Sequence, residues 1–128
     1  MKKIVVYVAG PLSNGGTCDN DEIERNIKNT CHTASMLLEM GFSPIVPHLT
    51  HYWHLLYPND YEKWLELGVD IMLRCDCVFR MDGESAGADV EVDAAVKDGM
   101  PVFTSIPDMC EWRLLQEPPH NPWKLNIR

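Results

Sequence analysis

The sequence has no block of lysine and arginine. With 11 basic and 19 acidic residues, its formal net charge is -8 at pH 7. A surface of this overall charge repels nucleic acid phosphates, so we expect no nucleic acid polymer among the partners. A small ligand stays compatible with the composition, because net charge does not describe one pocket.

C-x-x-C pairs and long apolar runs are also missing, which bears on the cellular compartment. The cysteine count, 5, is odd. A single residue separates Cys75 from Cys77, a spacing that in a strand places both side chains on one face. This arrangement suits buried thiols better than a disulfide. The apolar run that begins at Ile4 stops at Gly10 and is too short for a membrane span or a signal sequence. We expect a reducing, cytoplasmic compartment and no membrane association.

No repeat, low-complexity segment or linker divides the chain of 128 residues. Its hydrophobic fraction of 45% is sufficient for one core. We therefore predict a single domain over residues 1–128. Residues 117–128 are predicted to be an extended tail, because their prolines exclude a helix.

Apolar, β-branched runs alternate with helical periodicity along the chain. The predicted strands are residues 3–9, 42–46, 76–81 and 102–104. Four helices are predicted. The first two follow capping boxes at residues 19–22 and 59–62. The third follows the third strand and ends at about residue 97, and the fourth covers residues 109–116. This alternation predicts an α/β fold, a single doubly wound, flavodoxin- or Rossmann-like domain with a small parallel sheet of four or five strands. Because a small sheet often dimerises, we expect a homodimer or higher homo-oligomer.

Residues 83–91 form a glycine-containing loop between a predicted strand and a predicted helix, the usual ligand-binding geometry of an open α/β sheet. Glu91 falls in the first turns of the helix, where the dipole favours its ionised form, so it could be a nucleophile, a base or a metal ligand. Ser85 and the backbone around Gly87 are donors suited to phosphate, and the Tyr7 hydroxyl could orient Glu91. The alternative is that Glu91 is a surface residue that only complements the dipole.

The loop after the first strand is the second half of the candidate pocket. It carries Gly10, Ser13, Asn14 and Gly15 at the carboxyl end of that strand, where backbone N–H groups could approach a phosphate or a sugar hydroxyl. It lacks the P-loop lysine and the G-x-G-x-x-G spacing, so an ordinary turn is the alternative.

A predicted loop at residues 48–54 carries three histidines at intervals of three, His48, His51 and His54. This spacing suggests zinc, but the third histidine drifts from the shared face and no nearby cysteine or glutamate completes a site, so we expect no metal. The aromatic residues around it could stack on a planar base or simply cover the sheet edge. They are Tyr52, Trp53, Tyr57 and Trp64.

Three segments, residues 4–11, 74–76 and 83–91, resemble the nucleoside 2-deoxyribosyltransferase superfamily. The resemblance is to its small bacterial and phage branch, extends to residues 47–54 and 61–64, and covers roughly residues 3–103. The sequence is also similar to the 2'-deoxynucleoside 5'-monophosphate N-hydrolases.

This resemblance implies cleavage of the N-glycosidic bond between a nucleobase and a sugar, with no cofactor. Glu91 would be the nucleophile that forms a covalent glycosyl-enzyme, and Tyr7 its orienting partner; water or a second base would then take the sugar. The transferases tend to have Asp where Ser85 stands, and the nucleotide hydrolases Ser. A neutral Ser avoids repelling a phosphate, so the resemblance leans toward a 5'-monophosphate.

Two departures from the family pattern stand out. The usual family Asp is Gly68 here, and a mid-helix glycine costs ~1 kcal/mol relative to Ala, so something close needs the room. Asp70 lies about 200° further round the helix and does not simply substitute, although it is kept as a candidate substrate-binding residue. The first loop also lacks the family's Arg, which leaves phosphate binding to backbone amides, Ser13, Asn14 and Ser85.

The missing acid leaves the proton donor open among Asp82, Glu84 and Asp89. It also supports an alternative function, a catalytically weak or inactive nucleotide-binding protein. A weaker third hypothesis is a metal-dependent activity of the three histidines. Members of the superfamily usually form oligomers in which a neighbour's C-terminal residues complete the pocket; Met109 and Trp112 are the candidates here.

Overall fold

The computed structural model describes residues 3–116. The chain alternates strands and helices, with one short 3-10 turn at Pro47–Leu49. The elements in chain order are β1 (Val5–Ala9), α1 (Asn20–Glu39), β2 (Ser43–Ile45), α2 (Thr50–Leu56), α3 (Tyr61–Met72), β3 (Cys77–Arg80), α4 (Ala86–Lys97), β4 (Val102–Phe103) and α5 (Ile106–Gln116).

The four strands form one parallel sheet in the order β2-β1-β3-β4. The chain moves from β1 outward to β2 and then crosses back to β3 on the other side of β1. The crevice between the carboxyl ends of β1 and β3 is therefore the topological switch point, where open α/β sheets bind ligands. The predicted doubly wound, Rossmann-like fold is confirmed, with four strands within residues 3–116.

One face of β1 builds the larger core. Val6 and Val8 are fully buried and pack with Leu37 of α1 and Met109 of α5. Because successive side chains of a strand point to opposite faces, the intervening residues must face the other helical layer.

That other face places a polar side chain inside the protein. Tyr7 and Ala9 pack with Met72 of α3 and with Ala88 and Ala95 of α4. The alternation of β1 thus aims the Tyr7 ring between α3 and α4.

Several boundaries differ from the predictions. The segment predicted as a loop at residues 48–54 folds as the 3-10 turn and α2. Helix α5 begins at Ile106 rather than at residue 109, because Pro107 is tolerated in a first turn, where its missing N–H has no partner to lose. The strands are one or two residues shorter than predicted.

The first predicted cap forms and the second does not. The Asp19 carboxylate accepts the Glu22 N–H at 2.8 Å and begins α1. Asp60 precedes α3 without a side-chain capping bond, and the Asn59 side chain accepts the Asp60 N–H instead. The second capping box is therefore wrong as a mechanism, although the helix itself is present.

All 5 cysteines lie in the described residues and are free thiols. Only Cys77 belongs to β3, where it is fully buried; Cys75 precedes the strand and is half-buried. Because Cys75 lies outside β3, the two cysteines do not share a strand face, and the expectation of free thiols rather than a disulfide is met. No helix within residues 3–116 is long and apolar enough to cross a membrane. The predicted tail at residues 117–128 lies outside the described residues.

Candidate functional site

A cavity of about 540 Å³ opens at the switch point between β1 and β3. Its wall comes from β1, the loop that follows β1, helices α2 and α3, and the start of α4. The volume is in the range of small-molecule pockets. The site is thus where the fold predicts a ligand.

At the wall of this cavity the Tyr7 hydroxyl donates a hydrogen bond to Oε2 of Glu91. Tyr7 is 0% and Glu91 8% exposed. Tyr7 belongs to strand β1 and Glu91 to helix α4, and the two residues are 84 positions apart in the chain. The structure brings together the two residues that the sequence singled out.

Burial dominates the electrostatics of the pair. Burial raises the pKa of Glu91 above its ordinary value, and the Tyr7 hydrogen bond and the Arg80 charge only partly oppose it. The expected dipole effect does not prevail, because Glu91 lies beyond the first turn of α4, where that effect fades. Burial and the Glu91 charge raise the pKa of Tyr7, so its hydroxyl keeps the proton that it donates.

Gly68 of α3 makes room for the pair. A Cβ atom at this position would lie 2.8 Å from Oε2 of Glu91 and 2.8 Å from the Tyr7 hydroxyl. The prediction that something close needs the space of Gly68 is confirmed. A side chain at this position would collide with the pair unless Tyr7, Glu91 or the helices moved.

The beginning of α4 is tied to the first loop. The Ser85 hydroxyl caps the helix by accepting the Ala88 N–H at 3.1 Å, and Asn14 Oδ1 accepts the Ala86 N–H at 3.2 Å. Gly87 admits the Tyr61 hydroxyl, which would lie 2.7 Å from a Cβ at residue 87.

Most of the predicted site residues converge on the cavity. Those that line it are Tyr7, Gly10, Ser13, Asn14, Ser85, Gly87 and Glu91. Two predicted substrate-binding residues, Gly15 and Asp70, do not line it. Gly15 is exposed and Gly16 lines the wall instead. Asp70 is on the exposed side of α3, as its angular offset from inward-facing Gly68 requires.

Glu91 is the only carboxylate that the described residues contribute to the cavity. The three candidate proton donors, Asp82, Glu84 and Asp89, are exposed and line no part of it. Asp89 pairs with Arg80 at 3.3 Å. These three predictions therefore find no support in the geometry.

The three histidines serve separate partners. His48, 2% exposed, points Nε2 at the Gly10 carbonyl at 3.1 Å, so Nε2 must carry the proton. His54 Nδ1 accepts the indole N–H of Trp64 at 2.8 Å, and His51 meets Tyr52 edge-on. Among residues 3–116 no three His, Cys, Asp or Glu side chains are grouped to hold a metal. The arrangement gives the metal hypothesis no support.

Trp64 is the aromatic residue of the predicted stacking set that reaches the cavity. Trp53 packs edge-on against it with ring centroids 5.0 Å apart. Tyr52 and Tyr57 are exposed outside the wall, whereas Tyr61, not considered for stacking, lines it. Tyr61 precedes Trp64 by three residues, a spacing that places two side chains on the same face of a helix. This spacing was the signal that could have identified Tyr61.

We expect His48 to make folding stability fall on acidification. Burial lowers its pKa from 6.5 to about 4, so its contribution is present above pH 6.5 and is lost as the pH falls to about 4. Relative to a His48→Gln variant, the wild type should lose on the order of 3 kcal/mol of unfolding free energy over this interval. Urea unfolding across this pH range measures the difference; parallel curves would contradict it.

A family model described as "Domain of unknown function (DUF7768)" matches residues 4–105. The chain belongs to this family. All described residues that line the cavity fall inside the match, so the candidate site is part of the DUF7768 domain. Comparison with curated proteins and with solved structures found no match.

Proposed function

We propose that this DUF7768 domain cleaves the N-glycosidic bond of a deoxynucleoside, a nucleoside or a 5'-monophosphate of either, through a covalent glycosyl-Glu91 intermediate. The Tyr7–Glu91 hydrogen bond at the wall of a ligand-sized cavity carries the proposal. A buried carboxylate that is held by a protonated hydroxyl and open to a cavity is a competent nucleophile. The resemblance to nucleoside 2-deoxyribosyltransferases supplies the substrate class.

The reaction balances in two steps. An oxygen of Glu91 bonds to the anomeric carbon, the bond to the base breaks, and its electron pair leaves on the base nitrogen, which takes up a proton from solvent water. Tyr7 holds Oε2, which leaves Oε1 to attack. Water then attacks the same carbon and loses a proton to solvent, or a second base attacks, and Glu91 regains its carboxylate.

The direct test is incubation of the purified protein with a panel of deoxynucleosides, nucleosides and their monophosphates, with free base measured by chromatography. We expect release of base, or exchange when a second base is present. Absence of both from every substrate, with the protein shown to be folded, would refute the proposal.

A Tyr7→Phe variant should shift the acid limb of the pH profile of kcat/KM to higher pH. The Tyr7 hydrogen bond lowers the pKa of Glu91, so its removal raises that pKa further and leaves less carboxylate at a given pH. We expect kcat/KM at neutral pH to fall about 10- to 100-fold, since a hydrogen bond to a charged group contributes about 1.5–3 kcal/mol.

Tyr57→Phe is the matched control, because Tyr57 is exposed and lines no part of the cavity. It should leave both the rate and the pH profile unchanged. An unshifted acid limb in Tyr7→Phe would remove Tyr7 from its proposed role.

A second candidate function is a nucleotide-binding protein with weak or no turnover. The observation that favours it is the lack of a second carboxylate among the described residues of the cavity, because such a group would protonate the leaving base. Saturable binding of an intact nucleoside or monophosphate, without base release over hours, would support this function over catalysis.

A further inference from the structure

We propose that Asn14 makes the site selective for a nucleoside over its 5'-monophosphate. The inference rests on the proposed function and concerns the substrate atoms that would meet the beginning of α4. It runs against the expectation from Ser85, which favoured a phosphate.

Three of the backbone N–H groups at the beginning of α4 already have acceptors. A helix begins with free N–H groups, and these are what anions use. In α4 the Ala86 N–H donates to Asn14 Oδ1 at 3.2 Å, and the Ala88 N–H donates to the Ser85 hydroxyl at 3.1 Å. The Asp89 N–H donates to the Ser85 carbonyl at 3.0 Å. A phosphate that used the Ala86 or Ala88 N–H would have to displace Asn14 or the Ser85 cap.

Ser85 lines the cavity, and its hydroxyl oxygen is also engaged in the fold. Its side chain is 3% exposed and its hydroxyl oxygen is the helix cap. Asn14 is held in the left-handed region with φ of 49°, a conformation that asparagine tolerates better than most residues. With its backbone in this conformation, Asn14 extends its side chain to the beginning of α4.

The charge of the cavity points in the same direction. Within residues 3–116 no lysine or arginine lines the wall, and Glu91 is the carboxylate present. The nearby cation, Arg80, donates to the backbone carbonyls of Met81 and Gly83 and to Asp89. A phosphate dianion would enter a site without a counter-charge and beside a carboxylate, whereas a sugar hydroxyl adds no charge.

The experiment compares matched pairs of a deoxynucleoside and its 5'-monophosphate. The wild type should have at least about 10-fold higher kcat/KM for the nucleoside, the effect of one charged-group hydrogen bond left unmade. Asn14→Gly, which suits the positive φ, frees the Ala86 N–H and should narrow that ratio about 5- to 10-fold, mainly through the KM of the monophosphate.

Two further variants sharpen the comparison. Asn14→Asp keeps an oxygen acceptor for the Ala86 N–H and adds negative charge, so it should widen the ratio. Asn29→Ala, at an exposed position of α1 outside the cavity, should leave it unchanged. Titration of Glu91→Gln with the same ligand pairs measures the preference without turnover.

The outcomes separate the two proposals. If the wild type cleaves or binds the monophosphate better than the nucleoside, or if Asn14→Gly leaves the ratio unchanged, the selectivity proposal is wrong and the proposed function stands. If no base is released from either ligand, the proposed function fails, and the binding ratios of the Glu91→Gln protein still decide the role of Asn14.

Discussion

A Glu91→Gln variant should lose at least about 10³-fold of base release, because an amide cannot form the glycosyl ester. The amide oxygen can still accept the Tyr7 hydroxyl, and Gln matches Glu in size, so the fold should persist. Activity is followed as free base, and folding by thermal unfolding. Glu84→Gln is the control, because Glu84 is exposed on the preceding loop and does not line the cavity.

The same variant should be as stable as the wild type or more stable at neutral pH. The pKa of Glu91 is raised in the folded protein, so its contribution to folding is present below its unfolded value of 4.5 and is lost as the pH rises through the folded value. The advantage of the variant should therefore grow with pH over that window. Full activity of Glu91→Gln would remove Glu91 as the nucleophile.

Substitution of Gly68 should have the second large effect. Gly68→Ala places a Cβ 2.8 Å from both the Tyr7 hydroxyl and Glu91 Oε2, so the pair must separate or the helices must move apart. Overpacking should lower the free energy of unfolding by about 1–3 kcal/mol. Replacement of a helical glycine by alanine offsets ~1 kcal/mol of this loss. We expect base release to fall at least about 100-fold, since misplaced reacting groups lose that much.

Gly68→Asp adds the acid that nucleoside 2-deoxyribosyltransferases usually have at the corresponding position. It should be no more active than Gly68→Ala, because it adds the same collision and a charge beside Glu91. Glu66→Ala, on the exposed side of α3, is the matched control for both activity and thermal unfolding. An increase of base release in Gly68→Asp would show that the site can accommodate an acid, contrary to this account.

The sequence was sufficient for the sheet and for the edge of it at which the cavity lies. A β-branched run is recognisable without tertiary information, and its alternation alone sends Tyr7 to the face opposite Val6. Glu91 was recognisable because it follows a glycine-containing strand-to-helix loop. These features are local, so patterns along the chain report them.

What could not be predicted depends on contacts between distant segments. The sequence indicated that something lies close to Gly68, but its identity depends on the approach of α3 to α4 and on a hydrogen bond that spans 84 residues. The Asn14–Ala86 bond spans 72 residues, so no local pattern could report that the Ala86 N–H already has an acceptor. Helix α2 escaped prediction because none of its residues is buried, which leaves its sequence without an apolar period.

The most direct test of the central claim is the mass of the protein during turnover. Acid quenching of the wild type with excess substrate, followed by intact-mass and peptide analysis, should reveal an adduct of one dehydrated sugar on Glu91, and none in Glu91→Gln. Base release at full rate while the peptide containing Glu91 keeps its unmodified mass and another residue carries the sugar would contradict the account.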